Sequence, residues 1–181
     1  MATLRNQIAL IAGAGPGLSA CLARLFSREG MRVAAAARDT GKLAALSAET
    51  GVQTFACDVV DPDQVARLFE EVEGRIGAPD VVVYNASARL RGPLIELDPA
   101  GVAGALGVSA FGGFLVAQQA VRRMLPKGSG AIRNPGRIEP ADKPDSMLDP
   151  DAIAQSYLDV LRQPRSAWTW EIELRPWVER F

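Results

Sequence analysis

A short apolar strand runs directly into a glycine-rich turn and then into a helix, near the start of the chain. Residues 8–12 read Ile-Ala-Leu-Ile-Ala, the turn follows as Gly13-Ala-Gly-Pro-Gly-Leu-Ser19, and helical periodicity begins at Ala20. Glycines allow the backbone to pass close to a pyrophosphate, whose charge then meets the free N–H groups at the helix start. This order of elements indicates a nucleotide-binding βα unit.

Composition limits the class of protein further. The 181 residues are 48% apolar with a net charge of −1, which predicts one soluble globular domain over residues 1–181 and no nucleic-acid partner. No apolar run is expected to reach the roughly 18 residues of a membrane span, and no signal peptide is expected, so the predicted compartment is the cytoplasm. With no histidine and no ligand spacing around Cys21 and Cys57, we predict no metal site and two small core cysteines.

Apolar strands alternate with amphipathic helices, which predicts an α/β fold with a parallel sheet covered on both faces. After Leu125 the alternation fails: residues 131–132 begin a strand, and 133–150 are polar and rich in Pro and Asp. A helix is predicted at 151–162, after Asp149-Pro150, and a last strand at 167–174. The earlier predicted strands are 8–12, 32–36, 52–56 and 80–84, and the earlier predicted helices are 18–28, 40–49, 62–76 and 99–125.

Short motifs after successive strands resemble the short-chain dehydrogenase/reductase family. They are Gly13-x-x-x-Gly17, Arg38, Asp58-Val59, Asn85-Ala86 and the closing strand from Ala167 to Leu174. The resemblance covers residues 7–132 continuously and resumes from about 133 to the end. It implies a Rossmann-like, doubly wound parallel sheet with the order 3-2-1-4 for its first four strands.

The register of the glycines separates three cofactor classes. The Gly-x-Gly-x-x-Gly fingerprint fails because Leu18 stands at its sixth place. An S-adenosylmethionine-dependent methyltransferase would match Gly13, Gly15 and Gly17, but the acidic residue expected at the end of the preceding strand is missing. The short-chain reductase pattern fits best, with Ser19 where a third glycine usually lies. It implies cofactor contacts at Gly13, Gly15, Gly17 and Leu18.

The resemblance also assigns residues to the two halves of the cofactor. Arg38 follows the second strand where an NAD-specific site has an acid, so its guanidinium is expected to grip the 2′-phosphate of NADP, although Asp39 weakens the local positive field. Asp58 and Val59 resemble the pair that brackets adenine, with helix capping as the alternative role for Asp58. Asn85 and Ala86 would border the cofactor ribose.

The catalytic residues of the family are missing. Its members use a Tyr that exchanges a proton with the substrate oxygen and a Lys four residues later, but this chain has no Tyr-x-x-x-Lys. Ser109 stands where the family has an Asn in its long helix. Ser129 to Ile132 resembles the start of the fifth family strand, and Arg133 to Ile138 resembles the segment after the sixth. We therefore predict a deletion at 132/133 and an incomplete C-terminal half.

The leading hypothesis is an NADP(H)-binding protein whose intact relatives interconvert carbonyls and alcohols and which itself is catalytically impaired. A non-enzymatic nucleotide-binding or interaction protein and a methyltransferase are the alternatives. A homo-oligomer is expected, because the missing segment would leave the apolar face of residues 102–125 open. Substituting Val for Gly13 or Gly17 is expected to abolish nucleotide binding with less effect on folding.

Overall fold

The computed structural model describes residues 4–133 and 150–163, and within them a five-stranded parallel sheet has the order β3-β2-β1-β4-β5. The strands are β1 Ile8–Ala12, β2 Arg32–Ala37, β3 Gln53–Ala56, β4 Val81–Tyr84 and β5 Ala131–Arg133. The helices are α1 Leu18–Arg28, α2 Ala44–Thr50, α3 Pro62–Arg75, α4 Pro99–Leu106, α5 Gly112–Lys127 and α6 Pro150–Leu161. Short 3₁₀ turns occur at Thr40–Leu43 and Leu94–Glu96, and a π-turn at Gly107–Phe111 joins α4 to α5.

Helices cover both faces of the sheet, so the predicted doubly wound α/β class is confirmed. Helices α1, α2 and α6 share one apolar cluster with the sheet, and α3 and α5 share the other. All five residues of β1 are buried, which explains why the strand is continuously apolar rather than alternating. The order 3-2-1-4 is confirmed, and β5 pairs in parallel with β4.

Predicted and observed elements differ mainly at their ends. The helix predicted at 40–49 begins as the 3₁₀ turn, because the Asp39 side chain accepts a hydrogen bond from Gly41 N–H at 3.0 Å and tightens the first turn. The helix predicted at 99–125 is interrupted by the π-turn and extends to Lys127, where Gly128 ends it in the left-handed region with φ 63°. The strand predicted at 167–174 lies outside the described residues.

The continuous helical segment Pro99–Lys127 has the length and apolar composition of a membrane span, so the expectation that no segment reaches this length was wrong. Length and composition alone are weak evidence, since helices of soluble proteins also pass this test. One face of α5 is buried against the sheet through Leu115, Val116, Ala120 and Met124. We therefore interpret it as a helix docked on the sheet, with an apolar outer face.

Helix α6 completes the layer that contains α1. Ile153, Ala154 and Leu158 are buried in the same cluster as Leu22 and Phe26 of α1. Arg162, just after α6, forms an ion pair with Glu29 at the end of α1. These contacts attach the segment 150–163 to the layer of α1, on the face of the sheet opposite to α5.

Candidate functional site

A pocket of about 250 Å³ lies at the carboxyl ends of the first four strands. This edge includes the point between β1 and β4 where the strand order reverses, which is where open α/β sheets bind ligands. Every predicted cofactor residue lines the pocket except Gly17 and Leu18, which begin α1. The lining residues are Gly13, Gly15, Arg38, Cys57, Asp58, Val59, Asn85, Ala86, Ser87 and Val108.

Gly13 is required for the turn itself. Its φ is +83°, and a Cβ built on it would lie 2.3 Å from the backbone nitrogen of Ala86 and 2.5 Å from its Cα. The N–H groups of Gly13 and Ala14 both donate to the Ala36 carbonyl, at 3.0 and 2.8 Å. The space beside Gly13 is filled by backbone of the loop after β4, so we now expect Gly13→Val to affect folding more strongly than the sequence alone predicts.

Gly15 and the start of α1 form an open cradle. A Cβ on Gly15 would meet no atom within 4 Å, so this glycine leaves space in the pocket. Gly17 is the N-cap of α1 and makes no side-chain cap, whereas Asp39, Asp61 and Asp98 each cap the helix that follows them. The first N–H groups of α1, including that of Leu18, have no intrahelical acceptor and are suited to an anion. The Leu18 side chain itself is buried in the core.

Arg38 is the exposed cation of the pocket. It directly follows β2 and has no ion-pair partner among residues 4–133 and 150–163. The neighbouring carboxylate of Asp39 points toward its own 3₁₀ turn, where it accepts from Gly41 N–H and lies 3.8 Å from Lys42 Nζ. Since Lys42 balances Asp39, the guanidinium of Arg38 keeps its positive field at the pocket mouth.

The loop after β3 presents Asp58 and Val59 to the pocket. Asp61 caps α3 through hydrogen bonds from Gln64 N–H at 3.1 Å and Asp63 N–H at 2.9 Å. Hydrogen bonds from the backbone and side chain of Gln64, followed by that from Asp63, lower the pKa of Asp61. Asp58 instead accepts from Val60 N–H at 3.3 Å, and its own N–H donates to Gln64 Oε1 at 2.9 Å. The capping role considered for Asp58 therefore belongs to Asp61, which leaves the Asp58 carboxylate at the pocket.

Asn85 joins the end of β4 to the glycine turn. Its Nδ2 donates to the Gly13 carbonyl at 3.3 Å and to the hydroxyl of Ser19, while its N–H donates to the Ala12 carbonyl at 2.8 Å. Ala86, the next residue, packs its backbone directly against Gly13. Both residues line the pocket, and their contact with a ribose stays a prediction.

Three lining residues were not predicted as site residues: Cys57, Ser87 and Val108. Position in the sequence could have indicated Cys57 and Ser87, because they flank Asp58 and Ala86. Cys57 is buried, and burial raises the pKa of its thiol to about 11, so it contributes an apolar surface rather than a thiolate. Val108 lies in the π-turn, which the helical periodicity of residues 99–125 did not indicate.

None of the described tyrosines and lysines forms a catalytic pair at the pocket. Tyr84 is buried and donates its hydroxyl to the Val108 carbonyl, and burial followed by the charge of Asp58 raises its pKa to about 12. Tyr157 packs on the cluster around α1. Lys127 donates to the Ala78 carbonyl at 2.9 Å and lies 3.3 Å from Asp80 Oδ1, at the opposite edge of the sheet, and Lys143 is outside the described residues.

Ser109 lies in the π-turn beside the loop that follows β4. Its hydroxyl accepts from the Ala88 N–H at 3.2 Å and donates to the Ala88 carbonyl at 3.1 Å. Ser109 therefore fixes the loop after β4 and is not placed as a proton donor. Gly112 allows the helix to approach Tyr84, because a Cβ there would lie 2.5 Å from the Tyr84 hydroxyl oxygen. No group of His, Cys, Asp and Glu within the described ranges could hold a metal ion.

Comparison with known proteins agrees with this geometry. Residues 13–135 match the profile of the family described as Enoyl-(Acyl carrier protein) reductase, which is more than half of the chain. D-threitol dehydrogenase of Mycolicibacterium smegmatis is 32% identical over 136 residues, covering 72% of this chain and 52% of that protein. The chain spans about half the length of the curated relatives it matches.

Solved structures give the same result. A short-chain type dehydrogenase/reductase from Mycobacterium marinum has 30% sequence identity and a TM-score of 0.69, over 72% of this chain and 56% of that one. A metagenomic short-chain oxidoreductase in complex with NADP shares the fold, with 24% identity and a TM-score of 0.85 over 98% of this chain and 100% of that one. The profile, the relatives and the sheet order place the chain in the short-chain dehydrogenase/reductase family of oxidoreductases.

Proposed function

We propose that the chain binds NADP(H) at the carboxyl edge of its sheet. The observation that carries the proposal has three parts: the uncapped start of α1, the open space at Gly15 in the adjoining pocket, and Arg38 in the same pocket, with no ion-pair partner among the described residues. The first two suit a pyrophosphate and the third suits the 2′-phosphate that distinguishes NADP from NAD. The metagenomic relative bound to NADP supports this choice of cofactor.

The adenosine and pyrophosphate parts of the cofactor have complementary groups in the pocket and at the adjoining start of α1. The free N–H groups at the start of α1 would face the pyrophosphate, and Arg38 would face the 2′-phosphate. Asp58 and the backbone of Val59 would face the adenine edge. At about 250 Å³ the pocket is below the usual range for a whole ligand of about 300–1,000 Å³, so we assign it to the adenosine half.

The chain as written is proposed to be a catalytically impaired member of the family. Bound NADPH would supply a hydride for a carbonyl substrate, as is expected of intact relatives, but no described side chain is placed to give a proton to the substrate oxygen. We attribute this loss to a deletion at 132/133, a position within β5. A non-enzymatic nucleotide-binding role is therefore the second candidate, and the cytoplasm is the proposed compartment.

Arg38→Ala should remove most of the preference for NADPH over NADH. The loss of a charge-assisted contact with the 2′-phosphate costs about 1.5–3 kcal/mol, which corresponds to about a 10- to 160-fold rise in the Kd for NADPH. The Kd for NADH should change little, because NADH has no 2′-phosphate. Fluorescence titration of both cofactors against the wild type and the variant measures the effect.

Arg28→Ala is the matched control, since Arg28 is an exposed arginine in the last turn of α1, at the far end from the pocket. It removes the same charge and should leave both dissociation constants unchanged. Equal Kd values for NADPH and NADH in the wild type would refute the assignment of Arg38. Binding of S-adenosylmethionine in place of both cofactors would favour the methyltransferase alternative.

We further propose that the chain self-associates through the outer face of α5. Exposed residues on this face are spaced three and four apart, which is the spacing of a helix–helix seam. Along the helix these residues are apolar, then polar at Gln118, then apolar again. Two antiparallel copies would therefore place Gln118 against Gln118 at a twofold axis and pack the apolar residues at each end of the stripe against those of the second copy. The stripe consists of Phe111, Phe114, Gln118, Val121 and Leu125, whose apolar members are 48%, 57%, 39% and 74% exposed.

Phe114→Lys should convert the associated form to a monomer. A lysine in the stripe places a charge opposite apolar residues of the second copy, where it has no partner among the stripe residues. Analytical ultracentrifugation of the wild type and the variant at equal concentrations measures the change in mass. Leu94→Lys is the control, because Leu94 is 86% exposed but lies outside the stripe. A monomeric wild type, or the same loss of mass in both variants, would contradict the proposed seam.

A further inference from the structure

Ser19 is the polar residue that the structure buries most deeply in the described chain. Only 1% of it is exposed, in the first turn of α1 among apolar neighbours. A buried hydroxyl is costly unless it is hydrogen-bonded, and this one has two partners. It accepts from Asn85 Nδ2 and donates to the Gly13 carbonyl at 3.4 Å. The residue therefore does more than fill the space of a small side chain.

These bonds hold one peptide unit of the glycine turn from its carbonyl side. The Gly13 carbonyl accepts from Asn85 Nδ2 at 3.3 Å as well as from Ser19. The N–H of the same peptide unit, on Ala14, donates to the Ala36 carbonyl at 2.8 Å. The Gly13–Ala14 peptide is thus fixed between the end of β4 on one side and the end of β2 on the other.

The orientation of this peptide matters for an anion. Gly13 has φ +83° and is followed by a turn with two further glycines, whose backbone freedom is large. A peptide rotation that turned the Gly13 carbonyl away from Ser19 and into the pocket would put a negative dipole where an anion is expected to bind. A buried hydroxyl that binds this carbonyl opposes the rotation.

We propose that Ser19 is a positioning residue for the nucleotide site, acting through Asn85 and the Gly13 carbonyl. The Ser19–Asn85 pair keeps the glycine turn in the shape that exposes N–H groups to the pyrophosphate. Ser19 does not line the pocket, so its effect on the cofactor is indirect. The binding part of this inference rests on the NADP(H) function proposed above, whereas the effect on the turn does not.

Ser19→Ala tests the proposal with two readouts. Hydrogen exchange of the Ala14 amide, followed by NMR without cofactor, should become about tenfold faster, because the turn opens more often. The Kd for NADPH should rise about five- to tenfold, the effect of one lost hydrogen bond. In an Asn85→Ala background, Ser19→Ala should raise the Kd by a smaller factor than in the wild type, because only the direct bond from Ser19 to the Gly13 carbonyl is then left to lose.

Ser47→Ala is the matched control. The Ser47 hydroxyl also donates to a backbone carbonyl, that of Val52 at 2.8 Å, but it lies on α2 away from the pocket lining. This change should lower thermal stability and leave both readouts unchanged. If Ser19→Ala leaves the Ala14 exchange rate unchanged, or acts fully on Kd in the Asn85→Ala background, the positioning role is refuted. If the wild type binds no NADPH but Ser19→Ala still makes Ala14 exchange faster, the proposed NADP(H) function is refuted and the role of Ser19 in the turn is supported.

Discussion

The purified 181-residue chain should bind NADPH and yet reduce carbonyl substrates at no measurable rate. General acid catalysis is worth about 10²- to 10⁴-fold in rate, and the described residues place no Tyr and Lys pair at the pocket. The Tyr84 hydroxyl is committed to the Val108 carbonyl, and its pKa is raised to about 12. The sequence has no Tyr-x-x-x-Lys that could replace it. Loss of the lysine expected to orient the nicotinamide ribose would lower the rate further.

The measurement is the loss of NADPH absorbance with a panel of aldehydes and ketones, on protein whose intact mass has been verified. A variant that cannot bind the cofactor, such as Gly15→Val, is the control for contaminating reductases. Turnover that persists in this variant does not come from the chain. Robust turnover by wild-type protein of the correct mass, absent in the control, would refute the proposed impairment. Turnover by a heavier chain would show that a catalytic segment had been present.

Most of the sheet could be predicted because its signals are local. Continuous apolar runs marked four strands to within a residue or two, and Gly17 before Leu18 marked the start of α1. The strand order followed from the family resemblance and is observed in the sheet. The π-turn at Gly107–Phe111 could not be predicted, since the close approach of Gly112 to Tyr84 depends on a strand far away in the sequence.

The site shows the same division between local and distant causes. The positions of Asp58 and Arg38 after strands identified them as site residues. The sequence left open whether Asp58 instead caps a helix, and how far Asp39 weakens the positive field of Arg38. Hydrogen bonds to the first N–H groups of the following helices direct the carboxylates of Asp61 and Asp39 away from the pocket. The sequence identified Ser19 only as the residue at the usual place of a third glycine, and its bond to Asn85 joins residues 66 positions apart. Such a pairing has no signature in a single sequence.

Gly15→Val should abolish NADPH binding while the protein stays folded. The position of a Cβ on Gly15 is open, with no atom within 4 Å, and its φ lies outside the left-handed region, so the fold can accept a side chain. The isopropyl group would occupy the space that the pyrophosphate needs in the pocket. We expect the Kd for NADPH to rise at least about 100-fold, equivalent to about 2.7 kcal/mol, with a melting temperature close to that of the wild type.

The comparison with two other glycines makes this result specific. Gly74→Val, on α3 where a Cβ also meets no atom within 4 Å, should leave both binding and folding intact. Gly13→Val should instead destabilise the fold by on the order of 3 kcal/mol, from strain at positive φ together with collision against Ala86. Calorimetry and NADPH titration of all three variants therefore separate a glycine that leaves room for a ligand from one that leaves room for the protein's own backbone. Normal NADPH binding by Gly15→Val would show that the pyrophosphate does not lie in this turn.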